Sequence, residues 1–177
     1  LKFRKYKGKA VAQLMFMPDG REYMIEWIIP TIKSWPSLIN QIRQVLSRGE
    51  QVQSAKTCAA KDCECRATHT LCAGSNHEGY TFEPHGWCEE HLPPLASMLQ
   101  LPIKFSSIRH FQTKHDRKMW LQHLRWLLGL KGKRMTAKTA TNFFFPPPDK
   151  KAAPEPKPEP KPEPKPQGPP EQMALKL

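Results

Sequence analysis

No stretch of the 177-residue chain stays apolar for the ~20 residues that crossing a bilayer as a helix requires, which excludes a helical membrane span. The arrangements that mark common enzyme classes are missing too. There is no glycine-rich phosphate loop, no legible nucleophile and base pair, no His-x-Glu with Pro-Cys-x-x-Cys, and no His-Asn-His nuclease signature. No small-residue cleavage site follows the N-terminal apolar stretch. Ala10–Met17 alternates in polarity and runs into Pro18-Asp19-Gly20, so it reads as a strand rather than a signal peptide. Cysteine is sparse: the five present are an odd number crowded between 58 and 88, which suits a metal site in a reducing compartment better than a disulfide framework. These absences lead to the expectation of a non-enzymatic cytoplasmic protein with no membrane partner.

Acidic residues are scarce where basic ones gather. The formal charge is +12, of which residues 1–9 supply +5 through Lys2, Arg4, Lys5, Lys7 and Lys9. Residues 10–103 set seven basic side chains against ten acidic ones, whereas residues 104–138 set ten against Asp116 alone. The stretch from 139 onward balances six Lys against five acids. Charge clustered in this way suits a polyanionic partner better than general solubility.

Proline is the one residue in excess. Twelve of the 19 prolines lie at or after Pro146, and from Pro154 to Pro166 the chain repeats Pro-Glu-Pro-Lys. Proline at alternate positions fixes φ and removes amide donors, so this tail reads as a disordered or polyproline II spacer at ~3.1 Å per residue. Its sharper reading is a docking peptide for a protein partner with an aromatic groove.

The remainder predicts an α+β architecture in four parts: 1–50, 51–101, 102–138 and the tail 139–177. In the first, Lys9–Met17 and Arg21–Ile29 flank Pro18-Asp19-Gly20 and predict a β-hairpin. Ser34 or Ser37 would cap a helix over Pro36–Ser47, with Leu38, Ile39, Ile42, Val45 and Leu46 on one face and Gly49 as its end. In the third, Leu95–Leu99 reads as a turn, Pro102 as a break, and Ser106 or Ser107 as the cap of a basic amphipathic helix. Its apolar stripe is Met119, Trp120, Leu124, Leu127 and Leu128, ending at Gly129 or Gly132.

The second part carries the chemistry. Cys58, Cys63, Cys65, Cys72, His77, His85, Cys88 and His91 fall in one block. Two close pairs, Cys58-x4-Cys63 and Cys88-x2-His91, separated by a loop, supply what a tetrahedral Zn²⁺ needs. The spacing of three puts Cys88 and His91 on one face of a short helix, and Ala67–Leu71 with Tyr80–Phe82 would form a hairpin beneath the metal. Cys65 and Cys72 stand as alternate ligands. Over about 35 residues, Cys-x4-Cys-x-Cys-Arg-Ala followed by aromatic-Cys-x-x-His-Leu resembles the small treble-clef-like zinc fingers of short bacterial and phage proteins. The resemblance implies one structural zinc held by Cys58, Cys63, Cys88 and His91, and a bacterial or phage cytoplasm as the setting.

The basic segment offers Arg109, Lys114, Arg117, Lys118, Arg125, Lys131, Lys133 and Arg134 as phosphate contacts, with His110, His115 and His123 interleaved and the N-terminal arm adding to them. Trp120 and Trp126 read as core residues, with stacking on bases as the minor alternative. The expected function is therefore a zinc-stabilised DNA- or RNA-binding accessory subunit of a nucleoprotein complex. The rival from another class is a zinc-finger adaptor recognising an acidic protein.

Overall fold

The computed structural model describes residues 4–75, 79–94 and 98–147. The chain divides into a unit spanning Leu1–Pro146 and a second spanning Pro147–Leu177, and every element below belongs to the first. The expectations for His77 and for the proline repeat lie outside the described residues. Helices and one small antiparallel sheet make up the described chain, as an α+β class requires. None of the described helices is long and apolar enough to cross a membrane.

The expected N-terminal hairpin is instead helical. Val11–Leu14 form α1, Gly20–Glu22 form α2, Tyr23–Ile28 continue in wider π-type turns, and Ile29–Thr31 form α3. The physical reason lies in which residues are buried. Val11, Ala12, Leu14 and Met15, then Met24 and Ile28, recur at intervals of three and four, the period of a helix face rather than of a strand. Ala, Gln, Leu, Met, Arg and Glu also favour helix intrinsically. Gln13 secures the first turn: its Oε1 accepts from the Ala10 amide at 2.9 Å, while its Nε2 donates to the Met135 carbonyl at 3.0 Å. Pro18-Asp19-Gly20 links helices, with the Asp19 carbonyl accepting from the Tyr23 amide at 3.0 Å.

Helix α4 spans Pro36–Glu50. Pro36 occupies its first turn, where a missing amide costs nothing, and Trp35 rather than Ser34 or Ser37 stands at the N-cap. Ile42 and Val45 are buried and Leu38, Ile39 and Leu46 half-buried, as the periodicity predicts. Gly49 does not end the helix. An added Cβ there would come within 2.4 Å of the Met15 side chain, so this glycine marks the close approach of the Met15 segment to α4.

Strands β1 (His69–Ser75) and β2 (Gly79–Trp87) form the expected antiparallel hairpin, with an irregularity between Thr70 and Cys72. A third strand, β3 (Leu99–Pro102), pairs with the other edge of β1 and gives the order β2-β1-β3. The break expected at Pro102 is thus corrected, while the turn expected over Leu95–Leu99 lies mostly outside the described residues. Proline is tolerated because Pro102 is the last residue of an edge strand.

The basic segment starts with a 3₁₀ turn over Phe105–His110, and α5 spans Lys114–Leu127. Its cap is Thr113, whose Oγ1 accepts from the Asp116 amide at 3.1 Å. Ser106 and Ser107 are not caps because both are buried and engaged: Ser106 donates to the Glu50 carboxylate and Ser107 to the Pro102 carbonyl. The helix ends at Gly129 (φ 70°), with the Gly129 amide donating to Trp126 O at 3.1 Å and the Leu130 amide to Arg125 O at 2.7 Å. That pair of bonds is the Schellman stop, which needs a left-handed residue at this place. A further helix, α6 (Ala137–Phe144), capped by Thr136, occupies the stretch where the sequence reading started the tail at 139. Buried Ala140 and Phe144 tie it to the body.

Aromatic packing holds these parts together. Trp120 is fully buried, with Phe111 at 5.7 Å and Phe82 at 5.8 Å between ring centroids, which fastens α5 to β2. Phe16 meets Phe105 and Phe143 edge-on at 5.2 and 5.8 Å, joining the N-terminal helices to α6.

Candidate metal centre and cationic face

The first half of the metal site is built by a short ribbon. The Ala67 amide donates to Lys56 O at 3.0 Å and the Cys58 amide to Cys65 O at 2.8 Å, so Lys56–Cys58 runs antiparallel to Cys65–Ala67. Between them the chain turns back, the Cys63 amide donating to Ala60 O at 3.3 Å, with Asp62 at φ 60°. Aspartate is among the few residues that enter the left-handed region at modest cost. The turn aims Cys58 and Cys63 to one side. The Ala59 amide, donating to Gly86 O at 2.9 Å, docks it on the end of β2.

The second half leaves β2 directly. Cys88 stands at the N-cap of a single 3₁₀ turn, Glu89–His91. In such a turn residues three apart are eclipsed, so Cys88 and His91 face the same way. Their donor atoms lie 3.1 Å apart, Cys88 Sγ to His91 Nδ1, and Cys63 Sγ lies 3.9 Å from Cys88 Sγ. The donor atoms of Cys58, Cys63, Cys88 and His91 all fall within 4.8 Å of one another, a group that can hold a metal ion. A tetrahedral zinc with Zn–S bonds of about 2.3 Å would set its sulfur atoms about 3.8 Å apart, close to the separation seen.

The electrostatics of the thiols fit a cation. Burial pushes the Cys58 thiol up, but backbone amides of Cys88 and Ala60 and the thiols of Cys88 and Cys63 donate to its sulfur and hold it below the ordinary range. At Cys63 the Cys65 amide and the Cys88 thiol favour the thiolate, yet burial and the thiols of Cys58 and Cys65 raise the group. Burial is the main reason that Cys88 is raised, with the other two thiols adding to it. Three sulfurs this close cannot all ionise without a positive charge between them.

Cys65 and Cys72 fall outside this group. The Cys65 side chain is exposed; its backbone donates to Cys63 and accepts from Cys58, and its thiol also bonds Cys63 from outside the group of four. Cys72 is a buried thiol on β1, pushed up to about 12 by burial and, second, by the charge of Asp116. His85 is exposed on β2.

The eight basic residues expected to contact phosphate divide into two sets. Arg109, Lys114, Lys118, Lys131, Lys133 and Arg134 are exposed, and none forms an ion pair among the described residues. Asp116, the sole acid of the segment, is buried and bonded to Thr113. Arg117 and Arg125 are engaged in the fold instead. Arg117 donates to Phe111 O at 2.9 Å and pairs with Asp19 at 3.4 Å, while Arg125 donates to the Lys133 carbonyl. His110 and His115 are exposed, but His123 turns inward. It stacks on Phe82 at 4.8 Å, bonds Thr70 Oγ1 through Nε2 at 2.9 Å, and is lowered by burial to about 4. In the N-terminal arm, Lys5 pairs with Asp19 at 3.6 Å.

Sequence reasoning missed the cleft beside this face. Lined by Arg125, Trp126, Lys131, Gly132, Lys133 and Arg134 at the end of α5, it has a volume of about 490 Å³. A basic run that starts at Lys131, five residues after Trp126, and is broken by Gly132 is the local sequence signal of it. In comparisons with known protein families, with curated proteins and with solved structures, the chain has no match.

Proposed function

We propose that this protein binds nucleic acid through phosphate contacts, acting without catalysis as an accessory or regulatory part of a nucleoprotein complex, and that the Cys58, Cys63, Cys88 and His91 group holds one structural zinc. The observation that carries the reading is the unopposed cationic face: exposed Lys114, Lys118, Lys131, Lys133 and Arg134, with the neighbouring carboxylate of Asp116 buried and bonded internally. Lys114 and Lys118, one turn apart on α5, and Lys131, Lys133 and Arg134 beyond its end form no ion pair among the described residues, and a phosphate backbone that meets them would release its counterions.

Three sulfurs and an imidazole form a soft, closed set that suits zinc over magnesium or calcium, and four protein donors leave no position for a reacting water. When bound, the ion would close the Cys58–Cys63 turn onto the Cys88–His91 turn, whose backbones already meet at the end of β2.

The test is affinity for a nucleic-acid duplex before and after Lys114→Ala with Lys118→Ala. Both side chains are exposed and have no bonding partner among the described residues, so the fold should stay intact and affinity should fall about tenfold at low salt. Affinity unchanged in the double variant, or no binding by the unaltered protein to either duplex or single strand at low salt, would overturn the reading.

A further inference from the structure

We infer that the cleft at the end of α5 receives one unpaired nucleotide, so that the protein prefers single-stranded over duplex nucleic acid; this rests on the reading of the cationic face given above. The cleft is made by three successive features of the chain. Gln122, Arg125 and Trp126 project from the last turns of α5. The Schellman stop then reverses the chain at Gly129, and a β-turn closed by the Lys133 amide on Leu130 O at 3.2 Å carries Lys131 and Gly132 at its corner. Gly132, at φ 75°, supplies the left-handed residue that this corner needs. Arg125 spans the gap to the Lys133 carbonyl and fixes the loop opposite the helix.

Chemistry narrows the ligand. The walls are predominantly apolar, with Trp126 the one aromatic side chain among them, and the rim holds Lys131, Lys133 and Arg134 with no acid. A bare phosphate would need the rim but not the apolar walls. In a duplex the base faces are stacked inside, and the walls would again go unused. An unpaired nucleotide uses both, its base against the indole and its phosphate among the three cations. About 490 Å³ lies within the range of small-ligand sites. Trp126 is fixed in place: His123 stacks on it at 5.7 Å between centroids, and Lys56 Nζ lies 4.7 Å from its ring centre, a cation that an incoming base would displace. Arg125 Nε is buried there with no hydrogen-bond acceptor, an extra positive donor that the described residues leave unmatched.

The experiment uses the full chain loaded with zinc and three probes: an oligothymidylate of about a dozen nucleotides, a duplex of the same length, and thymidine monophosphate. The single strand should bind more tightly than the duplex and quench tryptophan fluorescence, and Trp126→Phe should remove most of that quench. Lys131→Glu with Lys133→Glu should weaken the single strand about tenfold more than the duplex, whereas Lys114→Glu with Lys118→Glu should weaken both alike. If the unaltered protein binds neither strand, the cationic-face reading fails and this inference with it. If both strands bind but the Lys131 and Lys133 variant loses them equally, or the single strand leaves the fluorescence unchanged, only the cleft assignment is overturned. Thymidine monophosphate binding as tightly as the oligonucleotide would also overturn it, in favour of a mononucleotide pocket. Should the Lys131 and Lys133 variant lose its zinc, the quench in the unaltered protein decides.

Discussion

His123 shows how one buried residue gives the fold a pH limit. Its ring is sandwiched between Phe82 and Trp126 and bonded to Thr70, where only the neutral form is accommodated, and burial lowers it from 6.5 to about 4. Above pH ~6.5 folded and unfolded chains are both neutral at this site and stability is complete. As pH falls from about 6.5 to about 4 the unfolded chain takes up a proton that the folded one refuses, and stability is lost by on the order of 3 kcal/mol. In thermal melts across this window, His123→Gln should remove that part of the acid sensitivity while the part from proton competition at the thiols remains. Melting curves of the two proteins that fall in parallel would contradict this role. At the metal group, Cys58→Ser and Cys88→Ser should each lose the bound ion, and Cys65→Ser and Cys72→Ala should each keep one equivalent, as elemental analysis would read. Retention of a full equivalent by the first two would show that the ligand set is wrong.

At the level of elements, the strongest local signals are the ones that follow backbone rules. Gly129 stops α5 because the Schellman geometry needs a left-handed residue, and Gly129→Ala should cost about 1 kcal/mol in denaturant unfolding. Thr113→Ala should cost about as much by stripping the amide of Asp116 of its acceptor, whereas Ser37→Ala should cost almost nothing. Equal losses at Thr113 and Ser37 would mean that the cap has been misplaced. The caps expected at Ser106 and Ser107 failed for a tertiary reason, since Glu50 and Pro102 claim those hydroxyls from distant parts of the chain. The N-terminal hairpin failed because a short, nearly continuous apolar run such as Ala10–Met17 is compatible with either period, and in the fold its buried residues recur at the helix interval, with Met15 against Gly49. The β1 and β2 hairpin was legible, because its signal is a run of strand-forming residues with a break between. β3 was not, because an edge strand of four residues with proline carries almost no pattern of its own.

For the molecule as a whole, the exposed charge sets how binding responds to salt. If Lys114, Lys118, Lys131, Lys133 and Arg134 each meet a phosphate, log K against log salt on a duplex should slope by about −4 to −5, and each single Lys→Ala change should reduce the slope by about one. A slope near zero would place the partner outside the nucleic acids. The candidate ligand pairs Cys58-x4-Cys63 and Cys88-x2-His91, with Cys65 and Cys72 as alternates, and the density of positive charge between 104 and 138 could be read from the sequence alone. Ligand spacing and net charge are properties of neighbouring residues, which the chain carries whatever its fold. Which charges are available is a different matter. Arg117 and Arg125 read as part of the cationic face, yet the fold turns one to Asp19, 98 residues away, and the other to the Lys133 carbonyl. The same holds for the choice among five cysteines and for the cleft beside Trp126. Burial, and contacts between residues far apart in sequence, exist only once the chain has folded, and they alone separate a side chain that holds the fold from one left free to bind.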